Sequence, residues 1–442
     1  MILEFSVTNY KVFKDRATMS FVASNYDKST LEDQNVKSLP DLGLRILNSA
    51  VLYGANASGK TKFFEAIEFM RQFVRRSSKE GQKGEKIAVQ PFLLSETTEH
   101  GPSEFEVVFV QDGTMYRYGF ACTSQVVLSE WLFFKPKVRE TQVFYRDTVD
   151  KRIEINQTHF KKGDLLVNAD LVRENALMVS VGAQFNDEIC SQVVKWFTQS
   201  VACLSCMHES GYKNLSLMQT DQNTNHDKIL DLLRRADFHI QDINVETLSP
   251  DNLPNSAPPE LRTFLKENML SEKTKIDSDV ITSHHKYDGE NKIIGSTLFS
   301  LEKDESHGTQ KFFYLSGPIL DVLEHGKTVF IDELDARLHP NLVQRIFSLF
   351  NNLEFNCHGA QLVATTHNTS LLKSDRLRKD QVWFVEKDNH EAAHLYSLAE
   401  FKSTEVRSNE NYETNYLRGK YGAIPYLQGL DHLKNRVSEE ER

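Results

Sequence analysis

The segment Gly54-Ala55-Asn56-Ala57-Ser58-Gly59-Lys60-Thr61 matches the pattern G-x-x-x-x-G-K-[ST] without a departure. Glycines at both ends let the backbone fold around phosphate oxygens. The N–H groups from Asn56 to Gly59 can then point inward, and a helix starting here adds its partially positive N-terminus. Lys60 suits the β and γ phosphates of a nucleotide, and the Thr61 hydroxyl suits the magnesium that bridges them. Thr328-Val329-Phe330-Ile331-Asp332-Glu333 is an apolar run ending in two carboxylates. With a phosphate loop upstream, Asp332 is expected in the outer coordination of magnesium, and Glu333 is expected to polarise the attacking water as general base. Gln361-Leu362-Val363-Ala364-Thr365-Thr366-His367 is another apolar run, ending in a histidine. A neutral imidazole at that position can bond the γ phosphate and report its loss after hydrolysis.

Such groups need a strand–loop–helix scaffold, and the periodicity supplies one. Ala50 to Tyr53 reads as a short apolar strand, and after the loop Phe63, Ala66, Ile67, Met70 and Val74 recur at helical spacing. Upstream, alternation over Ile2 to Val7 and again near Met19 to Val22 predicts paired strands. Phe105 to Val110, Tyr116 to Cys122 and Glu130 to Phe134 predict further strands, with a turn at Asp112-Gly113. Helical spacing dominates from about 165 to 275, as in Ile189, Val193, Val194 and Phe197, and in Ile229, Leu232 and Leu233. Leu248 to Pro259 reads as a loop, and Ser278 to Asn291 as a turn-rich connection. After 295 the α/β pattern returns, with strands at Thr328 to Ile331 and Gln361 to Thr365 and a helix from Pro340. No internal repeat or extended heptad run is evident. The expected division is an N-terminal lobe over 1–164, a mainly helical insertion over 165–294 and a C-terminal lobe over 295–442.

With 442 residues, 40% hydrophobic and 26% charged, the composition is that of an ordinary globular chain. No apolar run is long enough to span a bilayer and the start lacks a signal-peptide layout, so a cytoplasmic location without membrane contact is expected. The five cysteines, an odd number, are Cys122, Cys190, Cys203, Cys206 and Cys357; they suggest reduced thiols rather than a disulfide framework. Cys203 and Cys206, with His208 nearby, lack the second ligand pair that a structural zinc site needs. The net charge of −10 opposes non-specific attraction to nucleic acid but leaves room for a local basic face. Basic clusters at Arg71, Arg75, Arg76 and Lys79, at Lys135, Lys137 and Arg139, and at Arg376, Arg378 and Lys379 read as solvated faces.

In this order, the pieces resemble the ABC-type ATPase superfamily, in its SMC, RecF and OLD-like branch. The resemblance implies an α/β fold: an ABC-type ATPase head, with a mixed sheet, helices and an antiparallel β-subdomain, carrying a helical insertion. It assigns Gln90 to the Q-loop, near magnesium and the lytic water, and Lys11 to a site near the α phosphate. Ser306-His307-Gly308-Thr309-Gln310-Lys311 resembles a divergent signature motif, whose Ser306 and Gly308 would bind the γ phosphate held by an opposite subunit. Ser306 is also a good helix cap. Leu334 to Pro340 occupies the D-loop position, with His339 where many relatives carry aspartate.

GANASGKT at 54–61, DELDARLHP at 332–340 and the late YLRGKYGAIP at 416–425 bring the resemblance nearest to ATPases of bacterial anti-phage systems. These are the RloA and AbiL type and, more distantly, the PARIS ATPase. That implies ATP and Mg2+ as ligands and a homodimer or higher homo-oligomer through an ATP-sandwich interface. It also implies a separately encoded effector such as a nuclease or toxin, with a phage protein as a candidate trigger. An SMC- or RecF-like DNA-repair or DNA-tethering ATPase is the alternative, and DNA stays open as a partner. A transporter subunit is disfavoured by the long step from Gln90 to Ser306.

Overall fold

A computed structural model describes residues 1–136, 139–206, 210–247, 278–402, 406 and 410–425. Two compact units make up the chain: Met1–Val201 with Val363–Arg442, and Ala202–Leu362.

The first unit opens with β1 (Ile2–Thr8), β2 (Ala17–Ser20), α1 (Glu32–Asn35), β3 (Val36–Leu39), β4 (Leu44–Leu47), β5 (Ser49–Tyr53) and α2 (Lys60–Arg76). Then come β6 (Ser103–Gln111), β7 (Thr114–Cys122), β8 (Val127–Lys135), β9 (Thr141–Asp147), β10 (Arg152–Ile155), α3 (Gly163–Asn168), α4 (Met178–Gln184) and α5 (Glu188–Lys195). An antiparallel sheet in the order β10-β9-β8-β7-β6-β1-β2 dominates. The predicted Asp112-Gly113 turn joins β6 to β7, with φ of 48° and 76°, the left-handed pair that a tight hairpin requires. In β6 the alternation buries Phe105, Val107 and Phe109. The apolar stripe of α2 packs on that face, Phe69 lying 4.9 Å from Phe105 and Phe73 5.4 Å from Phe120.

The second unit contains β11 (Val201–Ser205), α6 (Ser210–Asp221), α7 (His226–Arg235), β12 (Asp242–Thr247), β13 (Ser278–Tyr287), β14 (Ile293–Ser300), α8 (His307–His325), β15 (Thr328–Asp332) and α9 (Pro340–Phe350). Its helices α6 and α7 pack on α8. Pro318 sits inside α8 and cannot donate to the Tyr314 carbonyl. Ser216 of α6 takes over: its Oγ donates to Tyr314 O at 2.8 Å and accepts from Gly317 N at 3.0 Å. The expected turn-rich connection at Ser278 to Asn291 is instead mostly strand, β13, because one side of an otherwise polar segment is apolar enough to bury Val280. The β13 strand lies between β12 and β14 in an antiparallel three-stranded sheet. The expected loop at Leu248 to Pro259 lies outside the described residues.

The chain returns to the first unit with β16 (Gln361–Thr365), β17 (Val382–Lys387), β18 (Ala393–Ser397) and α10 (Tyr412–Leu417). Here β17 runs parallel to β5 and antiparallel to β18, and Thr366 N reaches Leu52 O at 3.4 Å. Every residue of β5 is buried, as a strand covered on both faces requires. Strand, loop, helix and parallel neighbour, beside the antiparallel subdomain, make the mixed α/β architecture expected of an ABC-type ATPase head.

One basic cluster departs from a solvated face. Arg378 is 1% exposed, and its guanidinium bonds Asp380, Glu32 and the Thr30 and Asp27 carbonyls. Five donors in a planar fork can be fully used inside a core only by such a set of acceptors. Lys137 of another cluster lies outside the described residues.

Candidate nucleotide site

Strand β5 delivers the chain into the phosphate loop. At Gly54 a Cβ would lie 2.4 Å from the Val385 carbonyl oxygen and 2.5 Å from Ser58 Oγ, so only glycine leaves the strand here. Ala57 has φ 62° and Gly59 φ 123°, and Ser58 N closes a turn to Ala55 O at 3.2 Å. Lys60, 7% exposed, opens α2, and its ammonium donates to the Gly54 and Ala55 carbonyls at 2.7 and 3.1 Å. Thr61, the next residue, is exposed.

Two features fit this cradle to a phosphate. The N-terminus of α2 has no side-chain cap and no acidic residue in its first turn, so the partially positive helix end is not offset by a carboxylate of its own first turn. The buried hydroxyl of Ser58 also lacks a hydrogen-bond partner among the described residues. An orphaned buried hydroxyl costs about 1–3 kcal/mol, a cost an oxyanion at this point removes.

Lys11 and Gln90 come together in the same unit. Lys11 N donates to Gln90 O at 2.9 Å, and the Lys11 ammonium pairs with Glu65 of α2. Asn9 fixes this arrangement: its Oδ1 accepts from Phe92 N at 3.0 Å, and its Nδ2 donates to the carbonyls of Thr98, Gly101 and Pro102 at 2.9 to 3.1 Å. Burial raises the pKa of the Glu65 carboxyl, but the bonds from Lys11 and Lys62 outweigh it and leave the group below the usual carboxylate range. Thus a carboxylate already holds Lys11, and a phosphate must compete for it.

His367 is exposed just beyond β16. Its loop is held from two sides. From β5, the Tyr53 hydroxyl donates to the Asn368 carbonyl at 2.8 Å. From the late segment, Thr369 Oγ1 donates to Glu413 at 2.7 Å and Glu413 N to Leu372 O at 3.0 Å. Tyr416 packs on both Tyr53 and Phe384, at 5.5 and 5.4 Å, and Ala423 N donates to the Glu386 carboxylate at 2.7 Å. A hydrogen bond to a charged acceptor is worth about 1.5–3 kcal/mol. Glu413→Ala should therefore speed amide exchange over residues 366–372 by about 10- to 100-fold, while Glu413→Gln, which keeps an acceptor for Thr369, stays near the native rate. Hydrogen–deuterium exchange checks this; equal protection in all three chains would show that the tail does not hold the loop.

The second unit carries the remaining candidates. Every residue of β15 is buried up to Asp332, whose carbonyl accepts from Cys206 N at 3.1 Å. Glu333 follows, half-buried, with φ 53°. Ser306 caps α8, accepting from Thr309 N at 3.1 Å. Gly308 lies where a Cβ would stand 3.1 Å from the Arg337 carbonyl oxygen. Lys311, fully buried one turn on, donates to the Ala336 carbonyl. The start of α8 and the turn Leu334–Leu338 thus pack directly on each other. His339 is the N-cap of α9, its Nδ1 accepting from Asn341 N at 3.2 Å with Pro340 at N1. A neutral imidazole here fills the acceptor role that aspartate commonly takes at this position.

Sequence reasoning missed Tyr53, Glu413 and Lys311. A lysine followed by Phe312, Phe313, Tyr314 and Leu315 was a usable signal, since a charge on a buried stripe needs an acceptor. Tyr53 and Glu413 gave none, because their partners are far away in the chain.

The family model described as "AAA domain, putative AbiEii toxin, Type IV TA system" matches residues 49–162 and 213–373. These cover more than half of the sequence, and the chain belongs to that family. Among solved structures it is similar to the SMC head domain from Thermotoga maritima, with 12% identity over 90% of this chain and 98% of that one and a TM-score of 0.40. It is also similar to the Smc head domain with an extended coiled coil bound to the C-terminal domain of ScpA, from Pyrococcus furiosus. There the identity is 12% over 90% of this chain and 96% of that one, with a TM-score of 0.33. No curated protein matches. Among the described residues no helix is long and apolar enough to cross a membrane.

Proposed function

We propose that the chain binds and hydrolyses ATP and acts as a nucleotide-dependent switch in an anti-phage defence system, controlling a separately encoded toxic effector. The observation that carries the ATP reading is the uncapped, acid-free N-terminus of α2 behind a loop with a left-handed Ala57 and an orphaned Ser58 hydroxyl. In this reading Lys60 leaves the Gly54 and Ala55 carbonyls to bind the β and γ phosphates, while Lys11 reaches the α phosphate. Thr61, Asp332 and Gln90 would hold magnesium, which would supply positive charge to offset that of the phosphates. Glu333 takes the proton of the attacking water, and His367 contacts the γ phosphate. The family description, with its toxin and toxin–antitoxin terms, supports the defence setting.

Ser306 and Gly308 act in trans, so each copy completes the site of another. Lys60→Ala should lose ATP binding, and Ser306→Arg should bind ATP without hydrolysing it. Mixing the two variants should restore hydrolysis, because one of the two sites in a mixed dimer is then intact. Activity in Ser306→Arg alone would rule out the trans site, and ATP binding by Lys60→Ala would rule out the phosphate loop.

A further inference from the structure

The cations at the end of α2 and just beyond it differ in their partners. Arg71 pairs with Glu68 and donates to the Phe197 carbonyl, and Arg76 pairs with Glu80 at 3.4 Å. Arg75 and Lys79, one helical turn apart, have no side-chain acceptor among the described residues. Both line a cavity of about 360 Å³ in the first unit, walled by the end of α2 and the turn after it, by α4, and by α5. Lys195, in the last turn of α5, lines it as well. Among the described residues no carboxylate and no aromatic ring borders this cavity. Ser78 and Ser191 bring hydroxyls to it that have no hydrogen-bond partner among the described residues. Beyond Lys195, α5 continues as a π-helical turn, Trp196–Ser200, whose Thr198 and Gln199 reach the same cavity. Such turns are rare and recur at functional sites.

Helix C-termini favour cations, which explains a basic residue at the end of α2 and of α5 taken singly. It does not explain their meeting on one cavity. Each helix end carries about half a negative charge, and the positive charges of Arg75, Lys79 and Lys195 exceed that sum. Lys195 also pairs with Asp112 at 3.2 Å, but both side chains are exposed, and such a pair is worth little. The cavity therefore stays positive in a chain of net charge −10. Phosphate oxygens accept from guanidinium, ammonium and hydroxyl groups together, and so relieve the repulsion among the cations. Without an aromatic ring a nucleobase has nothing to stack on, and the negative charge of the whole chain opposes a long polyanion such as duplex DNA.

We propose that this cavity is a second anion site, separate from the phosphate loop, that takes a small oligophosphate between Arg75 and Lys79 on one side and Lys195 on the other. Its volume lies within the range of small-molecule pockets. The phosphate loop leads into the first residue of α2 and the cavity adjoins its last turn, so about 25 Å of helix separates the two sites.

Calorimetric titration with inorganic tripolyphosphate in magnesium-free buffer tests this on the full-length Lys60→Ala chain, which keeps the phosphate loop out of the measurement. One tripolyphosphate should bind per chain. In that background Arg75→Gln and Lys195→Gln should each weaken binding by at least about 10-fold, the loss expected for a charged hydrogen bond, and Arg75→Lys should recover part of it. Arg76→Gln, next in sequence but paired with Glu80, should stay within about twofold. Hydrogen exchange on the same chain, with its cavity residues unchanged, should slow over residues 74–80 and 180–199 when tripolyphosphate is added. Absence of binding, equal losses in the Arg75 and Arg76 variants, or protection confined to other segments would each overturn the proposal. Duplex DNA binding more tightly than tripolyphosphate, and lost in Arg75→Gln, would overturn it in favour of a nucleic-acid surface.

Discussion

Glu333→Gln should keep nucleotide affinity within about twofold and slow turnover by about 10²- to 10⁴-fold, the range for removing a positioned general base. The backbone argues for this residue as well as the strand that delivers it. Glu333 holds φ 53°, a left-handed conformation that asparagine, aspartate and glycine adopt more readily than glutamate. Such residues cost about 1–3 kcal/mol and persist where surrounding structure fixes them, commonly at functional sites. Glutamine keeps the same Cβ and the same strain, so the substitution removes the proposed base without moving the chain. Glu333→Gly should remove base and strain together, and its second unit should unfold at a higher temperature than in the native chain. Single-turnover hydrolysis with calorimetric ATP binding separates chemistry from affinity. Native turnover in the glutamine variant would remove Glu333 as base. A lower melting temperature in the glycine variant would mean that no strain is stored there.

What the sequence made legible follows from the range of the interactions involved. The phosphate loop is a local device: glycine spacing, the strand before it and the helix after it all lie within residues 49–76. The ends of β15 and β16 are similarly visible, because a fully buried strand reads as an unbroken apolar run wherever it pairs. Polar staples between distant segments are not visible in this way. Asn9 holds residues 92–102, and Gln381 bonds Asn35 and Ser49; each looks like an ordinary surface residue until its partner arrives. The same limit explains Arg378, whose acceptors at residues 27, 30 and 32 come from the opposite end of the chain. Strand β13 was misread for a different reason. Its His284, His285 and Lys286 make the segment polar enough to look like a connection, and only β12 and β14 on either side hold it extended.

The scaffold behind these residues hangs on a charge that the sequence did not single out. Glu130 of β8 is fully buried. Its carboxylate accepts from Met178 N at 2.6 Å and Val179 N at 2.9 Å, the first N–H groups of α4, from the Tyr118 hydroxyl at 3.0 Å, and pairs with Arg146 at 3.0 Å. Arg146, 4% exposed, also donates to the Ala176 carbonyl just before α4. Burial, with Glu130 next, pushes the Tyr118 phenol well above its ordinary pKa, so it stays a neutral donor. Glu130→Ala leaves a guanidinium, a hydroxyl and two N–H groups facing a cavity. Removing one partner of a buried ion pair costs about 3–5 kcal/mol, and the same range is expected here. Tryptophan fluorescence during urea unfolding reads it, since Trp131 lies on β8 and Trp196 follows α5. Glu130→Leu combined with Arg146→Met should lose much less than the sum of the single changes, because the second removes the charge that the first strands. Additive losses, or a Glu130→Ala cost below about 1 kcal/mol, would mean that the pair is not what fastens α4 to the sheet.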